Sequence, residues 1–136
     1  MINTSLLVLE SEISPQVFPI NRELLKQYAA ASGDQNPIHQ DEDFAKSVGL
    51  PDVIAHGMLT MGLVGTYLTN NFGVENIQEF SVRFVKPVVV PKDIDVILRV
   101  TGKVSELSES GIKIEITASV EESKVLGKAF AVIKRN

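Results

Sequence analysis

The spacing of hydrophobic positions changes along this chain. Leu24, Leu25, Tyr28 and Ala29 form an apolar stripe at 3.6-residue spacing, which predicts a helix over residues 22–31. Asn21 offers an N-cap, and Ser32-Gly33 a stop, because glycine takes the left-handed C-cap conformation cheaply. Residues 17–20 before it read as a short extended piece. Asn36-Pro37 after it forces an extended or turn geometry, since the residue before proline is pushed out of the helical region. Residues 38–54 hold charged clusters, a short helical piece around 41–47, and breaks at Gly49 and Pro51, so they read as an overhanging loop rather than core. A second helix is predicted from residue 56 to about 71. Met58, Leu59, Met61, Leu63, Val64, Tyr67 and Leu68 make it apolar around most of its circumference, and such a helix has to be surrounded.

Thereafter the period falls to two. Residues 77–85, 94–104, 112–120 and 125–133 are rich in β-branched side chains and bounded by Pro87, Pro91, Ser108–Gly111 and 121–124, the signature of antiparallel strands. Ile112, Ile114 and Ile116 fall on one face and Lys113 and Glu115 on the other. Helical patterning first and strands later predict an α+β fold, a curved antiparallel sheet around one buried helix.

Composition narrows the chemistry. The 136 residues suit one domain spanning 1–136, and they include two histidines and no cysteine. Thiol nucleophiles, CxxC redox chemistry and cysteine-ligated metals are therefore excluded. No basic n-region precedes an apolar run in the first twenty residues, which makes a cytoplasmic location the expectation. Residues 53–74 carry no Asp, Glu, Lys or Arg, but glycines, His56 and Asn70-Asn71 interrupt them well short of the ~20 apolar residues of a membrane span. Charge is uneven: three Lys/Arg against ten Asp/Glu up to residue 80, then ten against seven. The basic second half could face a phosphate-bearing ligand, with Arg83, Lys86, Lys92, Lys124 and Lys128 as candidates, or could be ordinary solvated strand faces. The overall sign of −4, without a basic run or interleaved aromatics, argues against nucleic acid.

Chemistry concentrates in the stretch Tyr28–His39, which ends on Ser32-Gly-Asp-Gln-Asn-Pro-Ile-His39. On a continuous helix Asp34 and His39, five residues apart, would diverge by about 140°. The Gly33 stop and the Asn36-Pro37 turn can bring them to one side, where a carboxylate and an imidazole sharing a water form a general acid/base pair. Following a helix C-terminus, and if buried, Asp34 would favour its neutral form. The same residues also suit an Asx-turn and a structural histidine. Ala55-His56-Gly57-Met58, at the start of the second helix, offers unpaired N–H donors to a carbonyl oxygen becoming anionic. Equally, His56 could cap that helix and Gly57 permit tight packing. His39-Gln40-Asp41 with His56 could be drawn as a two-His-one-carboxylate metal site, but this would consume both histidines and leave no base. No metal or other cofactor is expected.

Those two segments, with Val48-Gly-Leu50, Ala55-His-Gly-Met-Leu-Thr-Met-Gly62 and Phe80-Ser-Val-Arg-Phe-Val-Lys-Pro87, resemble the MaoC-like, (R)-specific enoyl-CoA hydratase family. The longer match is similar to the catalytic β subunits of actinobacterial (3R)-hydroxyacyl-ACP dehydratases. The resemblance implies a hot-dog fold with the helix from His56 at its centre. It implies that Asp34 and His39 form the hydratase dyad, that Asn36 helps fix it, that the Gly57 N–H binds the thioester carbonyl, and that His56 supports the site. Some family hydratases carry a serine eight residues beyond the oxyanion glycine; Gly65 stands there.

The expected activity is reversible hydration of a trans-2-enoyl thioester, on CoA or acyl carrier protein, to the (3R)-3-hydroxyacyl thioester. His39 would take the proton of water and Asp34 deliver one to C2, although the motif alone does not divide acid from base. A hot-dog acyl-thioesterase and a non-catalytic stabilising subunit are the alternatives. The expected partner is a second hot-dog subunit, in a homodimer or heterodimer, with neither nucleic acid nor membrane.

Overall fold

Local capping sets the helices that position the site. In the computed structural model, which describes residues 1–135, α1 spans Arg22–Ser32, α2 Glu42–Ser47 and α3 Gly57–Phe72. Asn136, the end of the expected domain, lies outside the described residues. The Asn21 Oδ1 accepts the Leu24 N–H at 2.9 Å, a cap that stabilises by about 1 kcal/mol. Gly33, at φ 80°, ends α1 and donates its N–H to Ala29 O. Asp41 caps α2 through the Phe44 N–H at 3.0 Å.

The strands are β1 (Glu12–Ile20), β2 (Ile77–Phe84), β3 (Val96–Leu107), β4 (Gly111–Val120), β5 (Ser123–Lys124) and β6 (Leu126–Lys134). They form a sheet in the order β1-β3-β4-β6-β2, with β5 beside β4 and each pairing antiparallel. In β4, Ile112, Ile114 and Ile116 are buried on one face as their alternation requires. They join Leu59, Val64, Tyr67, Leu68 and Phe72 of α3 in one core, each large side chain contributing roughly 1.5–3 kcal/mol. This is the hot-dog fold, a sheet curved around α3.

Three expectations need correction. The extended piece at 17–20 is the end of a nine-residue edge strand. Pro15 and Pro19 hide it in the sequence, yet an edge strand tolerates residues without an N–H. A bulge between Ile13 and Gln16 breaks its register, and the buried Tyr67 hydroxyl donates to the carbonyls of Ile13 and Ser14 at 3.3 and 3.0 Å. Burial pushes the Tyr67 phenol up to about 12. Secondly, the segment read as an overhanging loop contributes to the core. Val53 is fully buried, Ile54 bridges Val89, and Val53 O and the Ala55 N–H bond Val90 and Val88 at 2.8 and 2.9 Å. Thirdly, α3 is not enclosed on all sides: Met58 is 59% exposed, and Gly62, Thr66 and Asn70 continue that open face.

Candidate active site

Two side-chain turns fold the loop after α1. The Asp34 Oδ1 accepts the Asn36 N–H at 3.2 Å, so the Asx-turn is present. The Asn36 side chain in turn accepts the Ile38 N–H at 3.2 Å and opens a one-turn helix, Pro37–His39. This path brings the other Asp34 oxygen, Oδ2, to 4.0 Å from His39 Nε2. A turn and a convergent pair thus coexist in one carboxylate. The distance is too long for a direct hydrogen bond and leaves room for a bridging water.

Only one of the pair is buried. The Asp34 side chain is 51% exposed and that of His39 9%. Asp34 stays outside the interior because the loop leaves the surface end of α1. His39 points inward, and its Nδ1 lies 2.7 Å from the Ile54 carbonyl. A carbonyl only accepts, so Nδ1 carries a proton, and in the neutral ring Nε2, which faces Asp34, is the nitrogen with the free lone pair.

His56 is the N-cap of α3 by position, but its side chain makes no cap hydrogen bond. Its Nε2–H instead donates to the Asp34 carbonyl at 3.1 Å. The ring lies between two others, stacked on His39 with centroids 3.9 Å apart and tilted against Tyr28 at 4.7 Å. Nδ1 is buried without a partner. Burial pushes the imidazole below the ordinary histidine range, against the raising effect of its bond to Asp34. His56 is therefore neutral at pH 7, and it ties the backbone of Asp34 to the ring of His39.

Asp34, His39 and His56 offer nitrogen and oxygen atoms within 4.8 Å of one another, close enough for a metal. The two rings stack 25° from parallel, however, so their in-plane lone pairs do not converge well on one ion. Asp41 of the His-Gln-Asp unit is occupied in capping α2.

A cavity of about 320 Å³ opens beside the pair, lined by His39, Gly57, Thr60 and the apolar Ile54, Val88 and Leu126. The Leu59 and Thr60 N–H groups both reach the His56 carbonyl, at 3.1 and 3.2 Å, whereas the N–H groups of Gly57 and Met58 precede the helical ladder, and Gly57 brings that end of the helix to the cavity. A Cβ on Gly57 would stand 3.3 Å from the Phe84 ring, so a side chain there would crowd it. An adjoining groove of about 880 Å³ shares Lys86, Pro87, Val88 and Val125 with the cavity but lies away from both histidines. Among the candidate basic residues Lys92 stands apart, and Arg83 pairs in register with Gly127. Lys86 bonds Ser123 at 3.1 Å, Lys92 lies beside Asp41, Glu42 and Asp43, and Lys124 and Lys128 line a groove between β4 and β6.

Residues 9–124 match the model of the MaoC like domain. The chain belongs to the MaoC-like family. Over 67 residues it is 45% identical to the 3-hydroxyacyl-thioester dehydratase X of Mycobacterium tuberculosis, a match covering 49% of this chain and 23% of that protein. Among solved structures, a MaoC-like dehydratase superposes with a TM-score of 0.94 at 31% identity, over 98% of this chain and 42% of the other. The (R)-hydratase from A. caviae involved in PHA biosynthesis shares the fold at a TM-score of 0.82 and 22% identity, over 96% and 98% of the two chains. This MaoC-like chain thus spans about a quarter of the curated dehydratase and less than half of the first structure.

Parts of the site had no sequence signal. The Ile54 carbonyl that sets the His39 tautomer is a backbone group. Tyr28 counts in the helix stripe and opens the loaded stretch, but the motif gives it no chemical role. Thr60 stands within the recognised motif and carried no chemistry of its own there.

Proposed function

We propose that this MaoC-like chain catalyses the reversible hydration of a trans-2-enoyl thioester to the (3R)-3-hydroxyacyl thioester, with Asp34 and His39 as its acid/base pair. The observation that carries this reading is the pair's 4.0 Å separation at a cavity that Gly57 borders with a helix N-terminus.

A water held between Asp34 Oδ2 and His39 Nε2 attacks C3 and passes one proton to Nε2, the nitrogen left free by the Ile54 carbonyl. The electron pair of the C2–C3 double bond moves toward the thioester, and the Gly57 N–H stabilises the oxygen that becomes enolate-like. Asp34 delivers a proton to C2, and return of the proton from His39 resets the pair. Asn36 holds the Asp34 carboxylate through its N–H, and His56 holds the Asp34 carbonyl. The apolar groove beyond Lys86 suits an acyl or pantetheine chain, from CoA or from acyl carrier protein. The open face of α3 and the exposed Phe84 and Val85 beside the site suit cover by a second hot-dog subunit, identical or related.

Product analysis distinguishes this chemistry from hydrolysis. With crotonyl-CoA, the purified protein forms (3R)-3-hydroxybutyryl-CoA without releasing free thiol, and a chelator leaves the rate unchanged. Thiol release in place of the hydroxy thioester would favour the thioesterase.

A further inference from the structure

The three threonines of α3 are treated differently by the fold. Thr66 and Thr69 turn their hydroxyls back onto helix carbonyls, Gly62 O at 3.1 Å and Thr66 O at 3.0 Å. Such back-bonding is the ordinary fate of a threonine in a helix. Thr60 is only 3% exposed, and its hydroxyl has no hydrogen-bond partner among the described residues. It nevertheless retains accessible surface, since His56 Nδ1 is the unpartnered side-chain atom sealed completely among them. Thr60 lines the cavity that also holds His39 and Gly57, surrounded there by Ile54, Ala55, Val88, Val125 and Leu126.

A hydroxyl with no protein partner adds no hydrogen bond to the fold. Valine has nearly the same shape, so the fold gains nothing from oxygen at this position. A ligand would. Thr60 lies three residues after Gly57, on the same helix face. Helical side chains lean toward the N-terminus, so the patch covered by Thr60 lies over the turn that begins at Gly57. Its hydroxyl and the Gly57 N–H border one volume, which an oxygen approaching the start of α3 would occupy.

We propose that Thr60 is a second hydrogen-bond donor to the thioester oxygen, its Oγ1–H acting beside the Gly57 N–H. The assignment rests on the hydratase reading and deepens it. As the double bond's electrons move toward the thioester, the oxygen gains charge, and two preorganised donors stabilise it more than one. No proton leaves Thr60 and no covalent bond forms to it.

The test separates a donor from a packing residue. Thr60→Val keeps the shape and removes the donor; Thr60→Ser keeps the donor and removes a methyl. Donation predicts that Thr60→Val lowers kcat for crotonyl-CoA about 100-fold, with a thermal midpoint equal to or above that of the parent. Thr60→Ser should keep kcat within a few-fold. A packing role predicts the reverse, full activity in the valine variant and loss with instability in the serine variant, and that result would overturn the assignment. Infrared spectroscopy gives a readout independent of turnover. The carbonyl stretch of bound, isotopically labelled butyryl-CoA, which cannot be hydrated, should move to higher frequency in Thr60→Val and stay at the parent value in Thr60→Ser. An unmoved band contradicts donation even if the protein hydrates crotonyl-CoA normally. Absence of both turnover and butyryl-CoA binding in the parent protein would remove the hydratase reading and this assignment together.

Discussion

Two imidazoles divide the work at the centre of the site. Each donates to a backbone carbonyl through a different nitrogen, His39 through Nδ1 to Ile54 and His56 through Nε2 to Asp34. With two histidines in the chain, ring-nitrogen NMR can assign both. His39 should be the Nδ1–H tautomer and His56 the Nε2–H tautomer; an Nε2–H tautomer at His39 would deny it the role of base. The depressed His56 pKa also links pH to stability. Its folded-state value lies below the ordinary 6.5, so the unfolded chain binds more protons between the two values. Stability from this residue is fully present above about pH 6.5 and is lost as pH falls toward the folded-state value. Thermal midpoints measured between about pH 8 and pH 5 should fall less steeply in His56→Gln than in the parent; parallel slopes would show that His56 is not held neutral by the fold.

The motif residues were legible because their geometry is local. Gly33, Asn36 and Pro37 act within a few residues of Asp34 and His39, and turn chemistry of that range is written in the sequence. Asp34's exposure was not legible, since it depends on where the loop emerges from the fold.

At the scale of elements, a clasp outside the motifs connects α1 to the site. Arg22, the first residue of α1, donates its Nε–H to Val90 O at 2.6 Å and its Nη2 to Asp52 Oδ1 at 2.7 Å. Asp52 Oδ1 also accepts the Val53 N–H at 2.7 Å. The next residue, Ile54, donates to Ile38 O at 3.2 Å and accepts from His39. The carbonyl that orients His39 therefore sits two residues from a forked ion pair. Arg22 and Asp52 are partly buried, at 23% and 17% side-chain exposure. Removing one partner of a fully buried pair costs about 3–5 kcal/mol; allowing for solvent here, Arg22→Met should cost about 1–3 kcal/mol in urea denaturation. Asp52→Asn, which keeps the accepting Oδ1, should cost less. Equal stability of Arg22→Met and the parent would show that the clasp does not hold the segment.

The helices and the strands β3, β4 and β6 could be read from periodicity and caps. The clasp and β1 could not. Arg22 meets Val90 across 68 residues, and β1 gains its strand character from pairing with β3, despite two prolines. Pairing partners so distant leave no local pattern.

At the scale of the whole molecule, a sheet wrapped around α3 leaves the helix's N-terminus, the Asp34–His39 pair and an apolar cavity at one place. The sequence contained the ingredients of that arrangement in two short motifs, and the sheet order decides that they meet. Of the candidate basic residues of the second half, Lys92 is set beside carboxylates, whereas Arg83, Lys86, Lys124 and Lys128 lie on or beside the adjoining strands β2, β5 and β6. No helix among the described residues is long and apolar enough to cross a membrane, as the glycine and asparagine interruptions of residues 53–74 suggested.

The central claim is that Asp34 and His39 together add water to an enoyl thioester. Initial rates of crotonyl-CoA hydration, followed as loss of the enoyl absorbance, test it in the parent, Asp34→Asn and His39→Ala. Positioned acid/base groups contribute roughly 10²–10⁴-fold each, so both variants should lose at least about 100-fold while remaining folded. Parental rates in both folded variants would contradict the account.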